Sequence, residues 1–173
     1  MNQTRLGPMR QVAWVVNDLD AAMNRWLEQQ GVGPFFVLRN CPVQNVLYRG
    51  TPTALHMDAA LVQVGGVQVE LIQQHDDLPS CYRDMYARGQ EGFHHFCYIV
   101  DDYQACVDHF ARKGMPIALE GDFGAVRFCY VDTRAGTGCM TELVSAHADI
   151  EGFFAMVADA ARDWDGRDPI RVI

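Results

Sequence analysis

Basic residues are scarce in this sequence, which has 14 Lys and Arg against 22 Asp and Glu and a formal net charge of −8. They form no run, whereas a nucleic-acid surface needs clustered Lys and Arg to bind phosphates. Long hydrophobic runs are also missing, and the opening segment MNQTRLGPMRQ lacks the apolar core of a signal peptide. The composition therefore predicts a cytoplasmic protein that binds neither nucleic acid nor membrane.

Several sequence motifs that identify enzymes are missing as well. The six cysteines show no CxxC spacing, and three lie in apolar runs, where a free thiol packs as a small hydrophobe. There is no glycine-rich phosphate loop and no serine nucleophile elbow. With 173 residues and a hydrophobic fraction of 49%, the chain can still bury a real core, in one domain or two small modules.

A repeated pattern of strand and helix is present. The short strand QVAWVV and the polar pair Asn17-Asp18 precede a helix that ends at Gly31. The strand HFCYIV and the pair Asp101-Asp102 precede a second helix that ends at Gly114. Both helices have one apolar stripe, and its five positions recur 84 residues apart, at 19, 22, 23, 26 and 27 and at 103, 106, 107, 110 and 111.

Three strand candidates follow each helix, so that each half reads β-α-β-β-β. They lie at 33–38, 55–65 and 67–73 in the first half and at 116–121, 125–132 and 139–145 in the second. The predicted organisation is a first module over 9–73, a linker with a short helix from Pro79 over 74–92, a second module over 93–146, and a C-terminal helix and tail over 147–173.

Four polar side chains occupy equivalent places in the two modules. Gln11 and His95 are each the first residue of a module's first strand, and Glu70 and Glu142 each interrupt an apolar last strand. A buried carboxylate is costly without a partner, and one divalent metal ion bound by these oxygen and nitrogen donors would account for both. His94 aligns outside the strand and is expected to point away from the site that His95 enters.

In this arrangement the sequence resembles the glyoxalase, or vicinal oxygen chelate, superfamily. The resemblance extends from about residue 9 to 146 and includes the motifs FHHFCYIVDD and TELV. It implies an α+β fold in which two β-α-β-β-β modules form a curved, cup-shaped mixed sheet, with the C-terminal helix as an addition. It also implies a divalent ion (Zn, Ni, Co, Mn or Mg) held by Gln11, Glu70, His95 and Glu142, a set similar to that of glyoxalase I; the epimerase branch more often has a histidine where Gln11 stands.

The function implied by the resemblance is that of a metal-dependent isomerase, epimerase or lyase, in a homodimer. Its substrate would be a small enolisable carbonyl compound, the ion would stabilise the enolate, and Glu142 would remove the proton as catalytic base. The alternative is a metal-free protein of the same fold that binds small molecules between aromatic walls. Ring-cleaving oxygenation fits poorly, because such iron sites use two histidines and one carboxylate.

Taken one at a time, several of these residues also have explanations that involve no metal or substrate. Glu70 and Glu142, taken singly, would be surface residues of edge strands. Tyr48 and Arg49 would either meet an anionic substrate group or be solvated.

Overall fold

The computed structural model describes residues 6–173. The strands of this part of the chain are β1 (Gln11–Val15), β2 (Phe35–Leu38), β3 (Gln44–Tyr48), β4 (Thr51–Pro52), β5 (Met57–Val64), β6 (Val67–Gln74), β7 (Gly92–Val100), β8 (Ile117–Phe123), β9 (Val126–Val131), β10 (Met140–Ser145) and β11 (Ile170–Val172). The helices are α1 (Leu19–Gln30), α2 (Tyr103–Ala111), α3 (Arg134–Thr137) and α4 (Ala148–Arg162).

All the strands join one curved, mixed sheet in the order β11-β2-β5-β6-β1-β7-β10-β9-β8-β3-β4. The first strands of the two modules, β1 and β7, form its antiparallel centre, and each pairs in parallel with the last strand of its own module, β6 or β10. The predicted α+β fold of paired β-α-β-β-β modules is confirmed. This topology places the four strands that carry the predicted donors side by side in the middle of the sheet.

The two long module helices begin in the same way. The side chain of Asp18 accepts a hydrogen bond from the backbone of Ala21 at the start of α1, and Asp102 does the same for Ala105 at the start of α2. These caps satisfy backbone N–H groups that have no partner inside the helix. Gly31 ends α1 with a φ of 64°, a left-handed conformation that glycine adopts without strain.

Three strands were not predicted from the sequence. β3 and β4 lie within the first module's segment of the chain, yet β3 pairs with β8 of the second module. At the other end of the sheet, β11 runs parallel to β2 of the first module. The short helix predicted from Pro79 is wrong: residues 81–85 form hydrogen-bonded turns, with Tyr82 and Cys81 buried against the sheet.

A C-terminal helix was predicted within 147–173, and α4 lies there. Its buried residues are Phe154 and Val157, whereas Met156 is 40% exposed. None of the helices within residues 6–173 combines the length and the apolar character needed to cross a membrane.

Gly33 should not tolerate alanine, because a Cβ there would lie 2.5–2.9 Å from ring carbons of Trp164. The indole is held in place by a 2.7 Å hydrogen bond from its Nε1 to the carbonyl of Arg167. We expect Gly33→Ala to lower the free energy of unfolding by about 1–3 kcal/mol, the usual cost of overpacking. Gly66→Ala is the matched control, since nothing lies within 4 Å of its added Cβ. Urea denaturation measures both, and equal stability of the two variants would contradict the prediction.

Candidate functional site

The strand registers bring the two predicted donors of each module onto neighbouring strands. Glu70 pairs with Ala13, two residues after Gln11, and Glu142 pairs with Cys97, two residues after His95. In the central antiparallel pair, Gln11 lies opposite Cys97 and His95 opposite Ala13. The two modules are therefore related by a local two-fold arrangement. Both glutamates lie on interior strands, so the edge-strand interpretation is wrong.

Three of the four predicted donors come together in space. His95 Nε2 lies 3.2 Å from Glu142 Oε2 and 3.7 Å from Glu70 Oε2. The His95 ring is fully buried, and within residues 6–173 its Nε2 atom has no hydrogen-bond partner. Gln11 lines the same cavity and donates from Nε2 to Gln68 Oε1 at 2.6 Å, which leaves its own amide oxygen available as a ligand.

His94 does not point away from His95, and that prediction is wrong. Ala13 pairs with His95 but Trp14 pairs with Phe93, so His94 is the extra residue of a β-bulge in β7. A bulge interrupts the alternation of side chains along a strand. Both imidazoles are consequently buried, and their Nδ1 atoms lie 2.9 Å apart.

The hydrogen bonds of His94 determine the tautomers of both rings. His94 Nε2 lies 3.1 Å from the carbonyl oxygen of Cys81, which can only accept, so the proton of His94 is on Nε2. Burial, followed by the neighbouring His95, holds the pKa of His94 well below its ordinary value and keeps it neutral. His94 Nδ1 is therefore an acceptor, and His95 must donate from Nδ1. His95 Nε2 then faces the carboxyl groups of Glu70 and Glu142.

The two carboxylates are electrostatically different. Burial and the charge of Glu142 raise the pKa of Glu70 well above its ordinary value. Burial also acts to raise the pKa of Glu142, but the adjacent His95 ring, together with hydrogen bonds from Cys97 and Tyr130, outweighs it, and the net shift is downward. A pair of acids whose pKa values are driven apart is a common arrangement at sites of proton transfer.

The donor set suits a divalent metal ion. Ligands at about 2.0–2.2 Å from one ion stand roughly 3.0–3.5 Å apart, close to the separations of the His95 and glutamate atoms. His95 Nε2, which has no hydrogen-bond partner among residues 6–173, could serve as the nitrogen ligand. Within residues 6–173, however, no three His, Cys, Asp or Glu side chains already surround a single point at ligand distance. Metal binding would thus require these side chains to rearrange.

The site lies at the bottom of a cavity of about 120 Å³ between the central strands and α4. Most of its wall is apolar, with Met57 and Phe128 on the sheet, and with Ile150, Phe153 and Phe154 contributed by α4. The polar groups at its base are Glu70, Glu142 and Gln11.

Residues 10–130 match the family model of the Glyoxalase/Bleomycin resistance protein/Dioxygenase superfamily. The chain belongs to this superfamily. Solved structures share its fold: the Mycobacterium tuberculosis methylmalonyl-CoA epimerase is 18% identical with a TM-score of 0.58, over 88% of this chain and 97% of that one.

Two further structures are similar to this superfamily member. One is a variant of Streptomyces coelicolor methylmalonyl-CoA epimerase in complex with 2-nitronate-propionyl-CoA, at 19% identity and a TM-score of 0.57, over 83% of this chain and 97% of that one. The other is the hypothetical protein BH1468 from Bacillus halodurans, at 12% identity and a TM-score of 0.57, over 81% of this chain and 94% of that one. No curated protein matches the sequence significantly.

Two features of this superfamily member were missed at the level of sequence. The α4 side chains that line the cavity were predicted only as a helical stripe, and the adjacent pair of Phe residues in EGFFAM was the available signal. Arg49, considered as a contact for an anionic substrate, instead forms ion pairs with Asp84 at 2.5 Å and Asp132 at 3.0 Å. Tyr48 likewise donates to Asp84 at 2.6 Å.

Proposed function

We propose that this protein is a metal-dependent isomerase, epimerase or lyase in which Gln11, Glu70, His95 and Glu142 hold one divalent ion. The observation that carries the proposal is the buried His95 Nε2 atom, which has no hydrogen-bond partner among residues 6–173 and lies 3.2 Å from Glu142 Oε2 and 3.7 Å from Glu70 Oε2. One divalent ion bound between these side chains would offset the cost of burying two acids side by side. The chain's membership of the superfamily supports the same donor set.

The chemistry of a bound ion here would be that of a Lewis acid, which eases removal of a proton next to a carbonyl group. Glu142 is the proposed catalytic base, because its lowered pKa keeps it ionised at neutral pH and it lines the cavity. Gln11 adds a neutral oxygen, so the site carries two carboxylates rather than three. His94 is proposed to orient the His95 ring through the Nδ1 hydrogen bond.

The structural neighbours support this class of reaction without fixing the substrate. Several are named as methylmalonyl-CoA epimerases, and an epimerase removes and returns a proton at one carbon. We propose proton transfer of that kind for this chain, on a small enolisable carbonyl compound. The homodimer implied by the resemblance and the cytoplasmic location predicted from the composition stay predictions, and light scattering measures the first.

A metal-free binding protein is the second candidate. It is favoured by the apolar wall of the cavity, and by the donors that do not yet surround a single point. The two candidates differ in what they predict for His95, which is a ligand in the first and a buried polar residue in the second.

Metal analysis tests the proposed function. Protein purified without chelators should contain about one equivalent of a divalent ion, or should bind one equivalent from a series of Mg, Mn, Co, Ni and Zn salts. His95→Gln should bind none tightly, whereas His109→Gln, on the surface of α2, is the matched control and should bind as the wild type does. Absence of an ion, together with no thermal shift on adding any of the five metals, would favour the binding protein.

A further inference from the structure

The cavity lining contains two acids and, among residues 6–173, no Lys or Arg. The acids are Glu70 and Glu142. The remaining lining is aliphatic, aromatic or thiol, apart from the Gln11 amide and two tyrosines. An anionic group that enters this cavity, hereafter the cup, would meet like charge in an apolar surrounding.

The arginines that flank the cup are occupied. Arg10 donates two hydrogen bonds to Glu151 on α4, at 3.1 and 2.8 Å, and its guanidinium lies 5.4 Å over the Phe154 ring. Arg39 donates to Asp58 at 2.9 Å and also pairs with Asp20. Both guanidinium groups are engaged by carboxylates of the protein, so neither is available to bind a carboxylate or phosphate of a substrate.

The opening of the cup is also apolar. Phe123, at the tip of the β8–β9 hairpin, lines the cavity and is 39% exposed, and Phe153 of α4 is half-buried in the same lining. The nearest charged neighbours in sequence are acids, namely Asp122 beside Phe123 and Glu151 on α4. A substrate tail leaving the cup here would contact aromatic rings rather than a basic surface.

The volume limits what the cup can enclose. A cavity of about 120 Å³ is similar to the roughly 150 Å³ apolar cavity that accommodates benzene, and is well below the 300–1,000 Å³ typical of pockets for drug-sized ligands. The part of the substrate that is buried is therefore about as large as one aromatic ring or a short branched chain.

We propose that the substrate is an uncharged carbonyl compound whose buried portion is a small apolar group, and that the cup discriminates against carboxylates and against acyl-CoA thioesters. This substrate class rests on the proposed function, since it takes the carbonyl to lie above Glu70 and Glu142. It departs from the acyl-CoA ligand named for the Streptomyces coelicolor neighbour. The reason is local: the enclosing wall and α4 provide apolar contacts and no positive charge.

Three ligands test whether the cavity prefers an uncharged carbonyl compound to an anion, and two of them have nearly equal shape. In 1-phenylpropane-1,2-dione a methyl group stands where benzoylformate has a carboxylate oxygen, and propionyl-CoA provides the thioester. Binding is measured by ligand-observed NMR titration, both on protein as purified and on EDTA-treated protein, so that an ion cannot supply the positive charge. The diketone should bind at least about tenfold more tightly than either anion in EDTA-treated protein.

A charge placed in the cup should reverse the preference. Phe153→Lys introduces an ammonium group at the cavity wall and should raise the affinity for benzoylformate by about tenfold or more. Met156→Lys adds the same charge on the exposed side of α4, outside the cavity lining, and should leave the preference unchanged. Circular dichroism of both variants verifies the fold.

The outcomes separate this inference from the proposed function. Equal or tighter binding of benzoylformate or propionyl-CoA to EDTA-treated wild-type protein, or no binding of the diketone, overturns the substrate class even where metal is present. Selective diketone binding by a protein that retains no metal and exchanges no proton leaves the substrate class standing and refutes the enzyme.

Discussion

Replacing Glu142 by glutamine should slow proton removal from a bound carbonyl substrate by about 10²–10⁴-fold, the usual contribution of a positioned general base. The amide keeps an oxygen that can bind a metal but cannot take a proton at neutral pH. The measurement is exchange of solvent deuterium into the methyl group of 1-phenylpropane-1,2-dione, followed by NMR in metal-loaded protein. Exchange reports proton removal whatever the final product is.

Glu70→Gln is the comparison that separates a base from a ligand. If Glu70 only binds metal, its variant should lose exchange in proportion to the metal that it loses, and excess metal should restore exchange. Metal-loaded Glu142→Gln exchanging at the wild-type rate would remove Glu142 from the role of base. The neighbouring acid Asp58 is a poor substitute, because it is held by Arg39 and by His75, at 2.9 and 3.0 Å.

Replacing His94 by leucine should weaken metal binding by about 10–100-fold, the range observed when a residue that orients a metal-binding histidine is lost. Leucine removes the acceptor for the Nδ1 proton of His95 and leaves that proton unsatisfied in the core. His94→Asn provides an oxygen near the position of Nδ1 and should recover most of the affinity. Competition with a chromophoric chelator for Zn measures all three proteins.

Thermal unfolding of the metal-free forms distinguishes orientation from general damage to the fold. If His94→Leu and His94→Asn are equally stable without metal but differ in zinc affinity, His94 acts by orienting His95. Equal zinc affinity in wild type and His94→Leu would contradict the tautomer argument.

The repeat and the four donors were predictable because they depend on local periodicity and on a fixed strand register. The stripes offset by 84 residues and the caps Asp18 and Asp102 are encoded within each segment. Once two modules pair, the equivalence of Glu70 and Glu142 follows from their spacing along apolar strands.

The role of His94 was not predictable, because a bulge depends on the partner strand. Two adjacent histidines on a regular strand are expected to point to opposite faces of the sheet. Both are buried here because the register between β1 and β7 shifts between Ala13 and Trp14. The pairing of β3 with β8 joins segments more than 70 residues apart, for which a short stretch such as QNVLY has no local signal.

The two modules exchange elements with each other, and this affects how the chain unfolds. β3 comes from the first module's segment of the chain but pairs with β8, the outer strand of the second module. β11 comes from the C-terminal segment but pairs with β2, the outer strand of the first module. Because each module's edge is covered by chain from the other end of the sequence, the sheet of neither module is complete without the other. Denaturation should therefore be one cooperative transition of the whole chain, although its architecture is that of a duplication.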